Sequence, residues 1–99
     1  LAQITTPISA TVVNGNVPIG GIAFSGLLEQ VLIEFGAGLQ PEHWETIHDD
    51  NLATLTGTLV NWDTTTVENG IYTIRLSVRD GELGTAISSV VVRVKNSLW

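Results

Sequence analysis

Between Ile71 and Asp80 the chain alternates apolar and polar residues without a break. Tyr72, Ile74, Leu76 and Val78 fall on one side, and Thr73, Arg75, Ser77 and Arg79 on the other. Successive side chains of an extended backbone point to opposite faces, so this pattern buries one clean apolar face only as a β-strand. The same period returns in Thr85 to Lys95, where Val90, Val92 and Val94 are expected inside and Val91, Arg93 and Lys95 outside. Asp80-Gly81-Glu82-Leu83-Gly84 between the two runs reads as a hairpin loop. Two neighbouring strands would then carry all four basic side chains, Arg75, Arg79, Arg93 and Lys95, on one solvent face.

Shorter runs upstream extend the pattern. Leu28 to Gly36 places Val31, Ile33 and Phe35 inward and Glu34 outward, and Leu55 to Trp62 alternates again, with Leu55, Gly57, Leu59 and Trp62 near the core. Val17 to Phe24 reads as a strand holding a bulge or close backbone approach at Gly20-Gly21. Gln3 to Thr6 and Ala10 to Val13 read as a first strand interrupted at Pro7, which has no N–H to give a ladder. Ala37 to Glu45 is expected to be a loop with one helical turn from Pro41, and Trp44 to His48 a short edge strand. About seven antiparallel strands, each with one face to bury, imply a single domain of two stacked sheets; an up-and-down barrel is the structural alternative.

Composition narrows the function classes. The 99 residues carry a net charge of −6 and no cysteine, which excludes a disulfide framework and argues against nucleic acid and anionic membrane surfaces as partners. No apolar run reaches the ~18 residues of a membrane-spanning helix, so no membrane insertion is expected. Eight acids (Glu29, Glu34, Glu42, Glu45, Asp49, Asp50, Asp63, Glu68) precede residue 71 and every base follows it, so the molecule is expected to be electrically polar. The chain begins at Leu1, the start expected of a processed protein or of a segment of a longer one.

Two stretches invite a family comparison. Glu68-Asn69-Gly70-Ile71-Tyr72-Thr73-Ile74 resembles the tyrosine corner of immunoglobulin-like domains, with Ile74 at the position that is Cys in antibodies. That resemblance implies a Tyr72 hydroxyl bonded to upstream backbone. Over roughly residues 17–95 the order of four elements is similar to the immunoglobulin-like, fibronectin-III-like modules of bacterial and archaeal cell-surface proteins: residues 32–38 (LIEFGAG), 41–47 (PEHWETI), 57–64 (GTLVNWDT) and 69–76 (NGIYTIRL). Such modules are appended to penicillin-binding proteins, secreted proteases and surface repeat proteins. The resemblance implies an extracellular setting and a sandwich core anchored by Phe35, Trp62, Tyr72 and Ile74; it implies no ligand, because the fold hosts many roles. Residues 1–13 and 97–99 match no such pattern.

Solvated surface is the plain alternative for each group of residues that could carry chemistry. His43 and His48 with Glu42, Glu45, Asp49 and Asp50 would need to converge to hold a transition metal. Asp49-Asp50-Asn51 with Asp63 or Asp80 lacks calcium-loop spacing. No Ser sits in a nucleophile elbow, so neither catalytic residues nor a cofactor is expected. Trp44, Trp62 and Trp99 could form a sugar-stacking platform if two shared a plane; otherwise Trp62 is a core anchor and Trp44 covers the sandwich end. The preferred expectation is a non-catalytic extracellular module, a surface-protein repeat or a filament subunit. It would meet copies of itself or adjacent domains through the basic face (Arg75, Arg79, Arg93, Lys95) and through apolar ends (Ile4, Ile8, Val12, Trp99), with residues 1–13 as a strand exchanged into a neighbour's sheet. The alternative is a carbohydrate- or peptidoglycan-binding module of a larger secreted enzyme.

Overall fold

The computed structural model describes residues 2–24, 28–50, 54–81 and 84–96. These form eight strands: β1 (Ala2–Thr6), β2 (Thr11–Val13), β3 (Asn16–Phe24), β4 (Leu28–Ala37), β5 (Glu45–Asp50), β6 (Thr54–Asp63), β7 (Gly70–Asp80) and β8 (Gly84–Val94). They lie in two sheets, ordered β1-β3-β6 and β2-β8-β7-β4-β5. The fold is an all-β sandwich with the strand order of the immunoglobulin type. One pairing departs from the antiparallel expectation: β2 runs parallel to β8, with Val12 opposite Arg93.

That pairing follows from the interruption at Pro7. The chain leaves the first sheet after Thr6, passes a cis Thr6–Pro7 bond and enters the second sheet at Thr11. Ala10 N–H donates to Val91 O at 2.6 Å and Lys95 N–H to Val13 O at 2.9 Å, so the short strand is held at both ends. Residues 2–13 therefore pair within this chain's own sandwich, β1 on β3 and β2 on β8.

Four of the described strand pairings carry a register shift, and two of these reset the alternation. β3 and β6 pair Ile19 with Val60 but Gly20 with Thr58, which leaves Leu59 as an extra residue. The bulge explains why Leu59 and the even-numbered Trp62 both reach the core. Gly21 sits here because a Cβ would overlap the Gln3 carbonyl of the adjacent β1. Between β4 and β5 a second shift leaves Ile47 as the extra residue. Residues 38–44 run as bends with no helical turn, unlike the expectation at Pro41. The Pro41 ring lies against Gly36, so this segment hugs β4 instead of coiling.

The core holds Ile19, Val31, Ile33, Ile74, Leu76, Val78, Val92 and Val94, none more than 1% exposed. Phe35, Trp62 and Tyr72 close one end of it as an aromatic trio, with ring centroids 4.8–6.0 Å apart. The Tyr72 hydroxyl donates to Glu68 O at 2.7 Å, so the tyrosine corner is present. At the same end, Asn96 ties three segments together. Its Oδ1 accepts from Gly15 N–H (2.9 Å) and from the buried Thr64 hydroxyl (3.2 Å), and its Nδ2 donates to Thr64 O at 2.9 Å.

Candidate interaction surface

Residues 71, 73, 75, 77 and 79 of β7 point away from the core, as do their neighbours on the flanking strands. The outward face of the five-stranded sheet divides into two halves. On the β4–β5 half, Glu34 lies directly opposite Arg75 in the β4–β7 register. Arg75 reaches Glu34 Oε1 with Nη2 at 2.7 Å and Nε at 3.2 Å, and its guanidinium carbon sits 3.8 Å from the Trp44 ring centroid. Trp44, Arg75 and Glu34 form a layered stack that leaves the Glu34 side chain 12% exposed although it faces outward. A cation over an aromatic face and a bidentate-capable fork on a carboxylate both favour arginine here.

This stack corrects two sequence expectations. Arg75 is not available to a partner, because Glu34 of its own chain neutralises it. Trp44 does not cap the sandwich end; it supports the outer face. Within the five-stranded sheet, β7 lies between acid-bearing β4 and base-bearing β8. Arg93 sits opposite Ile71, only three residues from Glu68, so acid and base share one end of the molecule.

The β2–β8–β7 half is different. Val12, Arg93 and Ile71 form one lateral row across three strands. Val12 is 60% exposed, Ile71 47% and Ile87, further along β8, 59%. Arg93 and Lys95 are exposed beside them, and Arg79 stands at the far end of β7. Ile8, at the crossing between β1 and β2, is also largely exposed. Ile4, by contrast, is buried in the core, with its N–H bonded to Ser88 Oγ at 3.0 Å, which corrects its expected role as a contact residue. Trp99 lies outside the described residues.

The remaining candidates are scattered. His43 lies exposed in the bend after Pro41, while His48 is half-buried on β5 opposite Ile33. Among the described residues no three His, Asp or Glu are grouped to hold a metal ion. Asp49 accepts from Gln30 Nε2 at 3.0 Å, Asp63 caps the 3-10 turn at Thr64–Thr66, and Asp80 ends β7. The Thr65 hydroxyl and N–H hold the Asp63 carboxyl below its usual range. An open recess of about 330 Å³ at the tyrosine-corner end is lined by Phe35, Val67 and Tyr72 together with His43, Glu45 and Glu68. Burial first, then the charges of Glu68 and Glu45, raise the Tyr72 phenol above its ordinary value. Trp62 Nε1 is buried with no hydrogen-bond partner among the described residues. No described helix is long and apolar enough to cross a membrane.

No family model matches the sequence, and no curated protein matches it. Over 97% of its length the chain superposes on part of the X-ray structure of the endo-β-1,4-mannanase from Thermotoga petrophila, with a TM-score of 0.66 and 15% identity. The chain spans 20% of that protein's length, and at this identity the likeness is one of fold.

Proposed function

We propose that this chain is a non-catalytic extracellular interaction module, a surface-protein repeat or assembly subunit, that docks on copies of itself or on adjacent domains through the outward β2–β8–β7 face. The observation that carries the reading is the row Val12–Arg93–Ile71. Two large apolar side chains flank an exposed guanidinium there, on a sheet face whose other half carries the Trp44–Arg75–Glu34 stack. Exposed aliphatics grouped with arginine are the composition of a protein-contact patch rather than of plain solvated surface. With β1 and β2 used in cis, face contact accounts for assembly better than strand exchange does.

Lys95 is the only lysine in the sequence and borders this row, which makes it a built-in reporter. Zero-length carbodiimide coupling on the protein in its native setting, with the terminal amine blocked, is expected to join Lys95 to carboxylates of a neighbouring protein domain. Absence of any protein adduct at Lys95 would reject the face as a docking surface.

The fold likeness to a fifth of a mannanase supports a second reading, an accessory carbohydrate-binding module of a larger enzyme. Sugar stacking needs free aromatic faces. Trp62 is 3% exposed and the Trp44 face carries Arg75, so the described tryptophans supply no open platform. Titration with β-mannan and peptidoglycan fragments, followed by tryptophan fluorescence, is expected to show no saturable quench; a saturable one would favour this second reading.

A further inference from the structure

The edge of β8 is covered along only part of its length. Val91 exchanges its backbone groups with Ala10 N–H and Ser9 Oγ, and β2 pairs residues 92–94. Backbone groups in a strand alternate sides every residue, so Thr85, Ile87 and Ser89 turn their N–H and C=O toward the same edge as Val91. Among the described residues nothing pairs with them there. This segment, residues 84–90 (GTAISSV), carries no charge, no proline and no bulge, the devices that usually protect an open edge. The gap has defined limits: Ser9 and Ala10 close it at Val91, and β8 begins at Gly84, at φ +86°.

We infer that residues 85–89 of β8 form a self-complementary edge that pairs antiparallel with the same residues of a second copy, joining two sandwiches about a two-fold axis. A second copy is the occupant because the segment matches itself. Centred on Ile87, the antiparallel register sets Ile87 against its own symmetry mate and Thr85 against Ser89 in both directions. The paired residues are those whose backbone groups face the edge, so three narrow pairs would exchange about six hydrogen bonds. Ile87, 59% exposed in the single chain, gains an apolar partner across the axis, and the hydroxyls of Thr85 and Ser89 pair with each other. The five-residue window is as long as the stretch that Ser9, Ala10 and β2 leave uncovered.

The inference shares with the proposed function the idea that copies meet, and Ile87 also stands on the docking face. It differs in using the backbone edge of β8, so Ser89→Pro, which alters that edge, is the variant that separates the two. Sedimentation velocity over a concentration series is expected to show a monomer–dimer equilibrium that strengthens with salt, because each copy carries a net charge of −6. Ile87→Lys and Ile87→Glu would each place like charges against each other at the axis and weaken association roughly tenfold or more. Mixing the two variants is expected to restore a heterodimer, since in a two-fold contact residue 87 faces only itself. Ser89→Pro, which removes an N–H directed at the edge and none directed at β7, is expected to leave the melting temperature near wild type and abolish the dimer. A wild type that stays monomeric, an Ile87→Lys chain that dimerises normally, or a mixture that stays monomeric would overturn the inference. A Ser89→Pro chain that dimerises as the wild type does and still forms Lys95 adducts would keep the docking face standing while the edge fell.

Discussion

The two faces of β7 and β8 are built from adjacent residues of the same strands, yet they are finished differently. The inward face is complete: Ile74, Leu76, Val92 and Val94 are shut away from water, and the Phe35–Trp62–Tyr72 trio seals the end. The outward face is half finished. The Trp44–Arg75–Glu34 stack covers the β4–β5 half, while Val12, Ile71 and Ile87 stay exposed on the other. Burial that stabilises a fold need not respect which side of a strand it uses, and the half-covered face is the surface that the proposed docking would use.

The contrast breaks most easily at Trp62. Trp62→Ala is expected to cost about 3–5 kcal/mol, read as a fall in the denaturation midpoint, because it empties the centre of the aromatic trio. Trp62→Phe should cost much less, since it keeps a ring and removes the orphaned Nε1. A Trp62→Ala chain as stable as wild type would mean that the inner face does not carry the fold.

On the covered outer half, Glu34→Gln is expected to cost about 1–3 kcal/mol by chemical denaturation. It leaves Arg75 over Trp44 without its counter-charge in a setting that is only partly solvated. Tyr72→Phe deletes one hydroxyl-to-carbonyl bond and is expected to cost about 1 kcal/mol. In the wild type the phenol adds a pH dependence of known sign. Its pKa is raised on folding from an ordinary 10.0, so its contribution is intact below pH 10 and is lost as pH climbs through the folded value. Tyr72→Phe should flatten that alkaline limb. Smallest of all, Ile71→Ser is expected to change fold stability by less than about 0.5 kcal/mol, as for other exposed positions. A large loss there would show that the open half belongs to the fold after all.

Much of the sandwich was legible in the sequence because its strongest strands obey a strict period of two. β4, β7 and β8 bury the residues their alternation names, and the resemblance of residues 68–74 to a tyrosine corner implied a bond from Tyr72 to upstream backbone, which Glu68 O accepts. What escaped was non-local. The parallel β2–β8 pair depends on which sheet the chain rejoins after Pro7. The bulges at Leu59 and Ile47 depend on partner strands. Glu34 and Arg75 each alternate outward correctly, but only the neighbour relation of β4 and β7, which an immunoglobulin-type strand order entails, puts them in contact. The same relation pairs one of the four bases with an acid from the other half of the sequence. Asn96 and Thr64 gave no pattern at all, since a polar tie between segments has no period.

The division of labour between the two faces is tested most directly by the double variant Ile71→Ser/Ile87→Ser, compared with wild type by thermal melting and by sedimentation velocity over the same concentrations. The account predicts superimposable melting curves and a loss of the concentration-dependent rise in sedimentation coefficient. A variant that melts markedly earlier, or that associates as the wild type does, would contradict it.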